Sequence, residues 1–197
     1  MPLPSTTSKR SVKLSGEKVI LSPITPRDLV LFEHWMNDLT VTKYLKAAPR
    51  IFTLADEKAW LKKVLTQKSK CVLAIIDKKT GETIGNIGLH TINTIHKSAS
   101  LGIVIGDKKY WGRGYGKDAI SLILDFAFTV QNLHCVYLNV YAYNKRAIRA
   151  YTSLGFKQTG ILRERHFWGG AYHNVITMDI LDHEFLNSRL KNCIFES

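Results

Sequence analysis

Short apolar runs and two kinds of periodicity divide this chain into strands and helices. Glu17–Ser22 is an opening strand. Thr25-Pro26 then begins a helix, with a capping threonine, proline at the first helical position and a stripe of Leu29, Leu31, Phe32, Trp35 and Met36. Asn37–Ile51 lacks either period and is expected as a loop. A second helix starts at Thr53, capped toward Asp56, and carries Ala59, Trp60 and Val64 to about Gln67. Val72–Asp77, Thr83–Ile92 and Leu101–Ile105 are strands joined by turn-rich segments, so they are expected to run antiparallel. Gly85 and Gly88 inside the second of them predict a bulge or a close approach of another element. The strongest helical pattern follows, with Ile120, Ile123, Leu124, Ala127 and Val130 widened by Leu122 and Phe126. Cys135–Tyr141 is a further strand. Asn144 caps a short helix with the stripe Ala147, Ile148, Tyr151 and Leu154, which Gly155 stops. Phe156–Phe167 and Ala171–Leu181 close the pattern as a hairpin around Trp168-Gly169-Gly170.

These elements make one α/β domain over residues 17–187, with a mixed, mostly antiparallel sheet of about seven strands and about four helices. Residues 1–16, rich in Ser, Thr, Lys and Arg, are expected as a flexible basic arm, and 188–197 as a tail without pattern. No apolar run approaches membrane-spanning length, and the first sixteen residues have no apolar core of a secretory signal. Cys71, Cys135 and Cys193 are odd in number and far apart, which suits a reduced, cytoplasmic setting better than a disulfide framework.

Charge changes the picture only locally. The 28 Lys and Arg outnumber the 16 Asp and Glu, for a net charge of +12. They are scattered, without the aromatic-basic interleaving of RNA readers, so no specific nucleic-acid partner is expected. One cluster stands apart: Trp111-Gly112-Arg113-Gly114-Tyr115-Gly116-Lys117 lies between a strand and the strongest helix. A glycine loop opening into a helix offers free N–H groups at the positive end of the helix dipole, which favours a phosphate-bearing ligand. The spacing fits neither the Walker loop nor the dinucleotide fingerprint.

With its flanking strand and helix, this loop resembles the acetyl-coenzyme A site of the GNAT superfamily of N-acetyltransferases. Gly114 and Gly116 fill the two small positions of that superfamily's Gln/Arg-x-x-Gly-x-Gly/Ala pattern, and Trp111 replaces the usual Gln or Arg. The block Asn144 to Phe156 resembles the N-x-x-A-x-x-x-Y-x-x-x-G-F signature of the branch that holds ribosomal-protein N-terminal and spermidine N-acetyltransferases. The resemblance spans about residues 17–187 and implies a sheet splayed at the cofactor. It implies that the backbone of Ile103, Val104 and Ile105 holds the pantetheine arm and polarises the thioester. Gly114, Tyr115, Gly116 and Lys117, helped by Arg113, would take the pyrophosphate, with Asn144 and Ala147 beside the cofactor. Tyr151 would be the general acid that protonates the departing thiolate.

Acetyl transfer also needs an amine freed of its proton. Glu164 is the candidate base, with a solvated residue between Arg163 and Arg165 as the alternative. His90, His96, His166 and His173 flank turns and fit surface or packing roles at least as well. Ser100 stands where polyamine-acetylating relatives tend to have an acidic residue. The expected function is therefore direct acetyl transfer, without a metal, from acetyl-CoA to a primary amine: a protein N-terminus first, a polyamine or small-molecule amine second. A non-catalytic coenzyme A-binding sensor and a ribosome- or RNA-associated protein are the alternatives. A ribosomal protein is a candidate partner, and a homodimer or larger homo-oligomer is the assembly common among relatives.

Overall fold

The computed structural model describes residues 10–46, 48–67, 69–186, 188 and 190. Eight strands form one sheet in the order β1-β2-β3-β4-β5-β6-β8-β7. They are β1 (Leu14–Ser15), β2 (Val19–Pro23), β3 (Cys71–Asp77), β4 (Thr83–Asn93), β5 (Ser98–Ile105), β6 (Cys135–Tyr141), β7 (Lys157–Trp168) and β8 (Ala171–Leu181). The helices are α1 (Leu29–Met36), α2 (Leu39–Thr42), α3 (Leu54–Thr66), α4 (Tyr115–Asp125) and α5 (Lys145–Thr152). A π-helical turn, Phe126–Val130, extends α4. No helix among the described residues is long and apolar enough to cross a membrane.

Strand β3 shows how the layers form. Its run Cys-Val-Leu-Ala-Ile-Ile-Asp is buried on both faces, and side chains alternate along a strand. Val72, Ala74 and Ile76 pack with Leu29, Phe32 and Trp35 of α1 and Leu61 and Val64 of α3. Leu73 and Ile75 pack into the larger core with Ile120, Ile123 and Leu124 of α4. The sheet therefore carries helices on both sides, and α4 and α5 share the face that matters below. Gly85 shows the expected close approach: a Cβ there would lie 2.0 Å from the Val104 carbonyl oxygen.

All strand pairs are antiparallel except β5 with β6, which pair in parallel at three positions only: Ser98 with Cys135, Ala99 with Val136 and Ser100 with Tyr137. Past Ser100 the two strands diverge. Each keeps its outer neighbour, β4 or β8, so the sheet opens into a wedge at its centre.

Two segments differ from the expectation. The sheet reaches before Glu17, into the expected arm: β1 pairs with β2, and Arg10 bonds the buried Asp28 carboxylate. This early strand makes eight where about seven were expected; residues 1–9 of the expected arm lie outside the described residues, as do Cys193 and most of the tail. The expected loop 37–51 contains α2, a single turn capped by Asp38, whose Oδ1 accepts from Thr40 N–H at 2.8 Å. Four residues are too few to show a period. The β7–β8 hairpin is as expected, its turn made by Gly169 and Gly170 at φ +60° and +80°.

Candidate active site

The wedge between β5 and β6 is a cavity of about 560 Å³. Its walls are residues 101–105 of β5, Asn139–Tyr141 of β6, the glycine loop with the start of α4, and the inner face of α5. Tyr44, Leu45 and Lys46, from the segment after α2, complete the lining. On the wedge side, the backbone of residues 101–105 has no strand partner among the described residues. Unpaired N–H groups of this kind can hold an amide-bearing chain and polarise a carbonyl.

At the glycine loop, Gly114 is the N-cap of α4 at φ +86°, with no side chain capping the helix. The first helical N–H groups have no intrahelical acceptor, so they are available to an anion. Asp118 in the same turn would compete, but its carboxylate is directed elsewhere. It accepts from the N–H groups of Lys18 at 2.8 Å, Val19 at 3.0 Å and Glu17 at 3.3 Å. Lys18 in turn donates from Nζ to the Arg113 carbonyl at 2.8 Å. The turn before β2 thus holds the glycine loop from behind.

Trp111 pins the loop from the front. Its Nε1–H donates to the Ile105 carbonyl at 2.7 Å, and the Arg146 guanidinium of α5 lies 3.9 Å from its ring centroid. The tryptophan at the unusual position therefore ties β5, the loop and α5 together. Tyr110 supports the loop from below, edge-on to Tyr115 at 4.8 Å. Its hydroxyl stands 3.1 Å from both Asp77 Oδ2 and Glu82 Oε2.

Asn144 caps α5, its Oδ1 accepting from Ala147 N–H at 3.2 Å, and also lines the cavity. About two turns further along α5, Tyr151 is buried against Phe156 with its ring in the cavity wall. Among the described residues nothing bonds its hydroxyl, while every fully buried side-chain polar atom there has a partner. The hydroxyl must therefore open into the cavity. Burial pushes its pKa up to about 12, so it holds its proton at neutral pH.

Of the residues expected from the sequence, Ile103, Val104, Ile105, Gly114, Gly116, Lys117, Asn144, Ala147 and Tyr151 all line this cavity. Tyr115 and Arg113 stay on the loop beside it, and Arg113 donates to the Lys109 carbonyl. Glu164 is not brought in. It sits at an irregularity in β7, between Leu162 and His166, exposed and at φ +50°, with its N–H bonded to Asn174 Oδ1. His166 and His173 do meet, in an aromatic cluster behind the cavity wall. The His166 ring stacks on Tyr141 at 3.8 Å, and Tyr143 lies edge-on to His173 at 4.9 Å.

The groups present fit an acyl-coenzyme A: a capless helix start for phosphates, an open strand edge for the amide-bearing arm, and a proton donor between them. Gly114→Ala is expected to weaken acetyl-CoA binding and cost about 1–2 kcal/mol of stability, because a Cβ disfavours positive φ. Paired calorimetry and thermal melts check both effects.

The family model for the acetyltransferase (GNAT) domain matches residues 18–157. The chain is 32% identical over 172 residues to the spermidine N(1)-acetyltransferase of Escherichia coli K12, covering 87% of this chain and 90% of that one. It is 36% identical over 113 residues to the corresponding Vibrio cholerae protein, covering 57% of this chain and 65% of that one. The crystal structure of spermidine N-acetyltransferase from Vibrio cholerae in complex with CoA and spermine superposes with a TM-score of 0.79 at 29% identity. That match covers 86% of this chain and 99% of that one.

Proposed function

This chain belongs to the GNAT acetyltransferase family, an acetyl-CoA-dependent N-acetyltransferase, and we propose that acetyl transfer takes place in the wedge between β5 and β6. The observation that carries this reading is the unpartnered Tyr151 hydroxyl facing a cavity bounded by an open strand edge and a capless helix start.

Gly114, Gly116 and Lys117 would hold the pyrophosphate at the start of α4, with Tyr115 and Arg113 beside them. The backbone of Ile103–Ile105 would hold the arm, and Asn144 and Ala147 would bound it from α5. Acetyl-CoA supplies an acetyl thioester, whose carbonyl carbon is the electrophile. Open N–H groups of β5 polarise that carbonyl and stabilise the oxygen as it gains charge. Tyr151 donates its hydroxyl hydrogen toward the sulfur as the carbon–sulfur bond breaks. The proton that the acceptor nitrogen sheds on becoming an amide restores the balance.

The relatives named as spermidine N-acetyltransferases support a polyamine as one acceptor class. The test is thiol release from acetyl-CoA over a panel of peptides, polyamines and aminoglycosides, with the acetylated product identified by mass. Turnover on at least one acceptor is the expected result; thiol release with none of them overturns the proposal.

A further inference from the structure

Acetyl transfer needs a group to take the proton that the acceptor nitrogen sheds, and the cavity lining offers no carboxylate. Its charged residues are Lys46, Lys117, Arg146 and Arg149, all of one sign and suited to the cofactor's phosphates. An imidazole stands at its edge instead.

The cavity runs through the sheet. Ile120 and Tyr151, from the core of α4 and α5, line it on one face, and Val41, from the cluster of α1 and α3, lines it on the other. Along β5, Ile103 and Ile105 pack with the α4 core and Val104 with the α1–α3 cluster. Side chains alternate along a strand, so Gly102 faces the α1–α3 side with Val104. On β4, Ile87 and Leu89 belong to the α4 core, which puts His90 on the same face as Gly102. The two meet there. A Cβ on Gly102 would lie 3.0 Å from His90 Nε2, so the imidazole covers the backbone of a cavity-lining residue, one position before Ile103. Among the described residues nothing bonds either ring nitrogen, while every fully buried side-chain polar atom there has a partner. Both nitrogens are therefore open.

Strand pairing sets His90 in one row with Ser100 of β5, Tyr137 of β6 and Asp179 of β8, and Lys157 of β7 ends the row. Lys70, just before β3, is the charge that acts on it. Burial first and Lys70 second hold its pKa below the ordinary value of 6.5, so the ring is neutral at neutral pH.

We infer that His90 is the general base of the transfer, taking the acceptor's proton at Nε2 on the α1–α3 face while Tyr151 protonates the sulfur on the α4–α5 face. This rests on the acetyltransferase reading above and deepens it. The amine nitrogen bonds to the thioester carbon and passes one hydrogen to Nε2 as a proton. The carbon–sulfur bond breaks, its electron pair stays on sulfur, and the Tyr151 hydrogen joins it. The imidazolium then gives its proton to water and the tyrosinate takes one back. Both side chains return to their starting state, and an amide and a thiol are the products. Acid and base stand on opposite faces of one wedge, so they do not compete for one hydrogen.

The test measures kcat/KM for spermidine and for the C-terminally amidated tripeptide Ser-Tyr-Ala from about pH 5 to 9, in wild type, His90→Gln and Asp179→Asn. The amine must itself be unprotonated, so kcat/KM falls about tenfold per pH unit below the amine's pKa. With His90 as base, the wild-type fall steepens toward about a hundredfold per unit below the imidazole's pKa. His90→Gln is expected to lower kcat/KM about a hundredfold at about pH 8 and to keep the shallow slope throughout, with acetyl-CoA affinity unchanged by calorimetry. Asp179→Asn, in the same row but beyond Tyr137, is expected to leave rate and slope as in wild type. Three results overturn the inference: a wild-type slope that stays shallow down to about pH 5, a His90→Gln protein as active as wild type, or a steep limb lost in Asp179→Asn but kept in His90→Gln. The wild-type slope decides the matter even where a variant melts early. Absence of thiol release with both probes and with the wider acceptor panel fails the transferase reading, and the base with it.

Discussion

Tyr151→Phe is expected to lower kcat about a hundredfold, the ordinary contribution of a placed proton donor, while acetyl-CoA affinity and melting temperature stay near wild type. The structure sets these three readouts apart. The ring packs against Phe156 and makes the buried wall of α5, and phenylalanine preserves that packing. The hydroxyl bonds nothing among the described residues, so its removal breaks no internal hydrogen bond. What is lost is the O–H that faces the cavity, held protonated by a pKa of about 12. A hundredfold loss corresponds to about 2.7 kcal/mol in the barrier. Steady-state thiol release, with calorimetry and melts alongside, checks the prediction. A variant with unchanged kcat would make Tyr151 a packing residue only.

Asp28→Ala is expected to destabilise the fold by about 3 kcal/mol, the scale for removing one partner of a buried ion pair. Asp28 is 2% exposed at the turn that begins α1. It accepts from Arg10 through both oxygens, from Thr83 Oγ1 at 2.7 Å and from Thr25 N–H at 2.7 Å. Burial alone would raise its pKa. The hydrogen bonds from Arg10, Thr83 and Thr25, with the Arg10 charge, outweigh burial and hold it below its ordinary value of 3.8. A carboxyl whose pKa is lower in the folded state stabilises the fold fully above its unfolded value, and that contribution is lost as pH falls through the folded value. Urea unfolding of wild type and variant should therefore differ most near pH 7 and converge in acid below the ordinary carboxylate range. An undiminished difference there would contradict the assignment.

Local features of the site were legible in the sequence because local rules produce them. Gly112 and Gly114 take positive φ in the structure, Asn144 caps α5, and the helical spacing of Ala147 and Tyr151 puts both on the cavity wall. Their roles toward coenzyme A came from the family resemblance, since spacing alone favoured a core position for Tyr151. Other features depend on contacts far apart in sequence and left no periodic trace. The Asp118 carboxylate meets N–H groups about a hundred residues upstream, and Arg10 reaches Asp28 and Thr83 from a segment that looks like an unstructured arm. Glu164 was a candidate only as a carboxylate near the end of its strand, with a solvated position between Arg163 and Arg165 as the alternative. In the structure it lies exposed at the irregularity between Leu162 and His166, a register shift that the residue pattern did not signal. The single-sign charge of the cavity could be seen only once Lys46, Arg146 and Lys117 were brought together from three separate segments.

The central claim is that the wedge between β5 and β6 seats acetyl-CoA against the start of α4. Calorimetric titration of acetyl-CoA into the wild-type protein and into Gly114→Ala tests it most directly. The account predicts one site per chain, with a dissociation constant between about 1 μM and 1 mM, weakened in the variant. No binding up to about 1 mM, or equal binding by a folded Gly114→Ala protein, would contradict it.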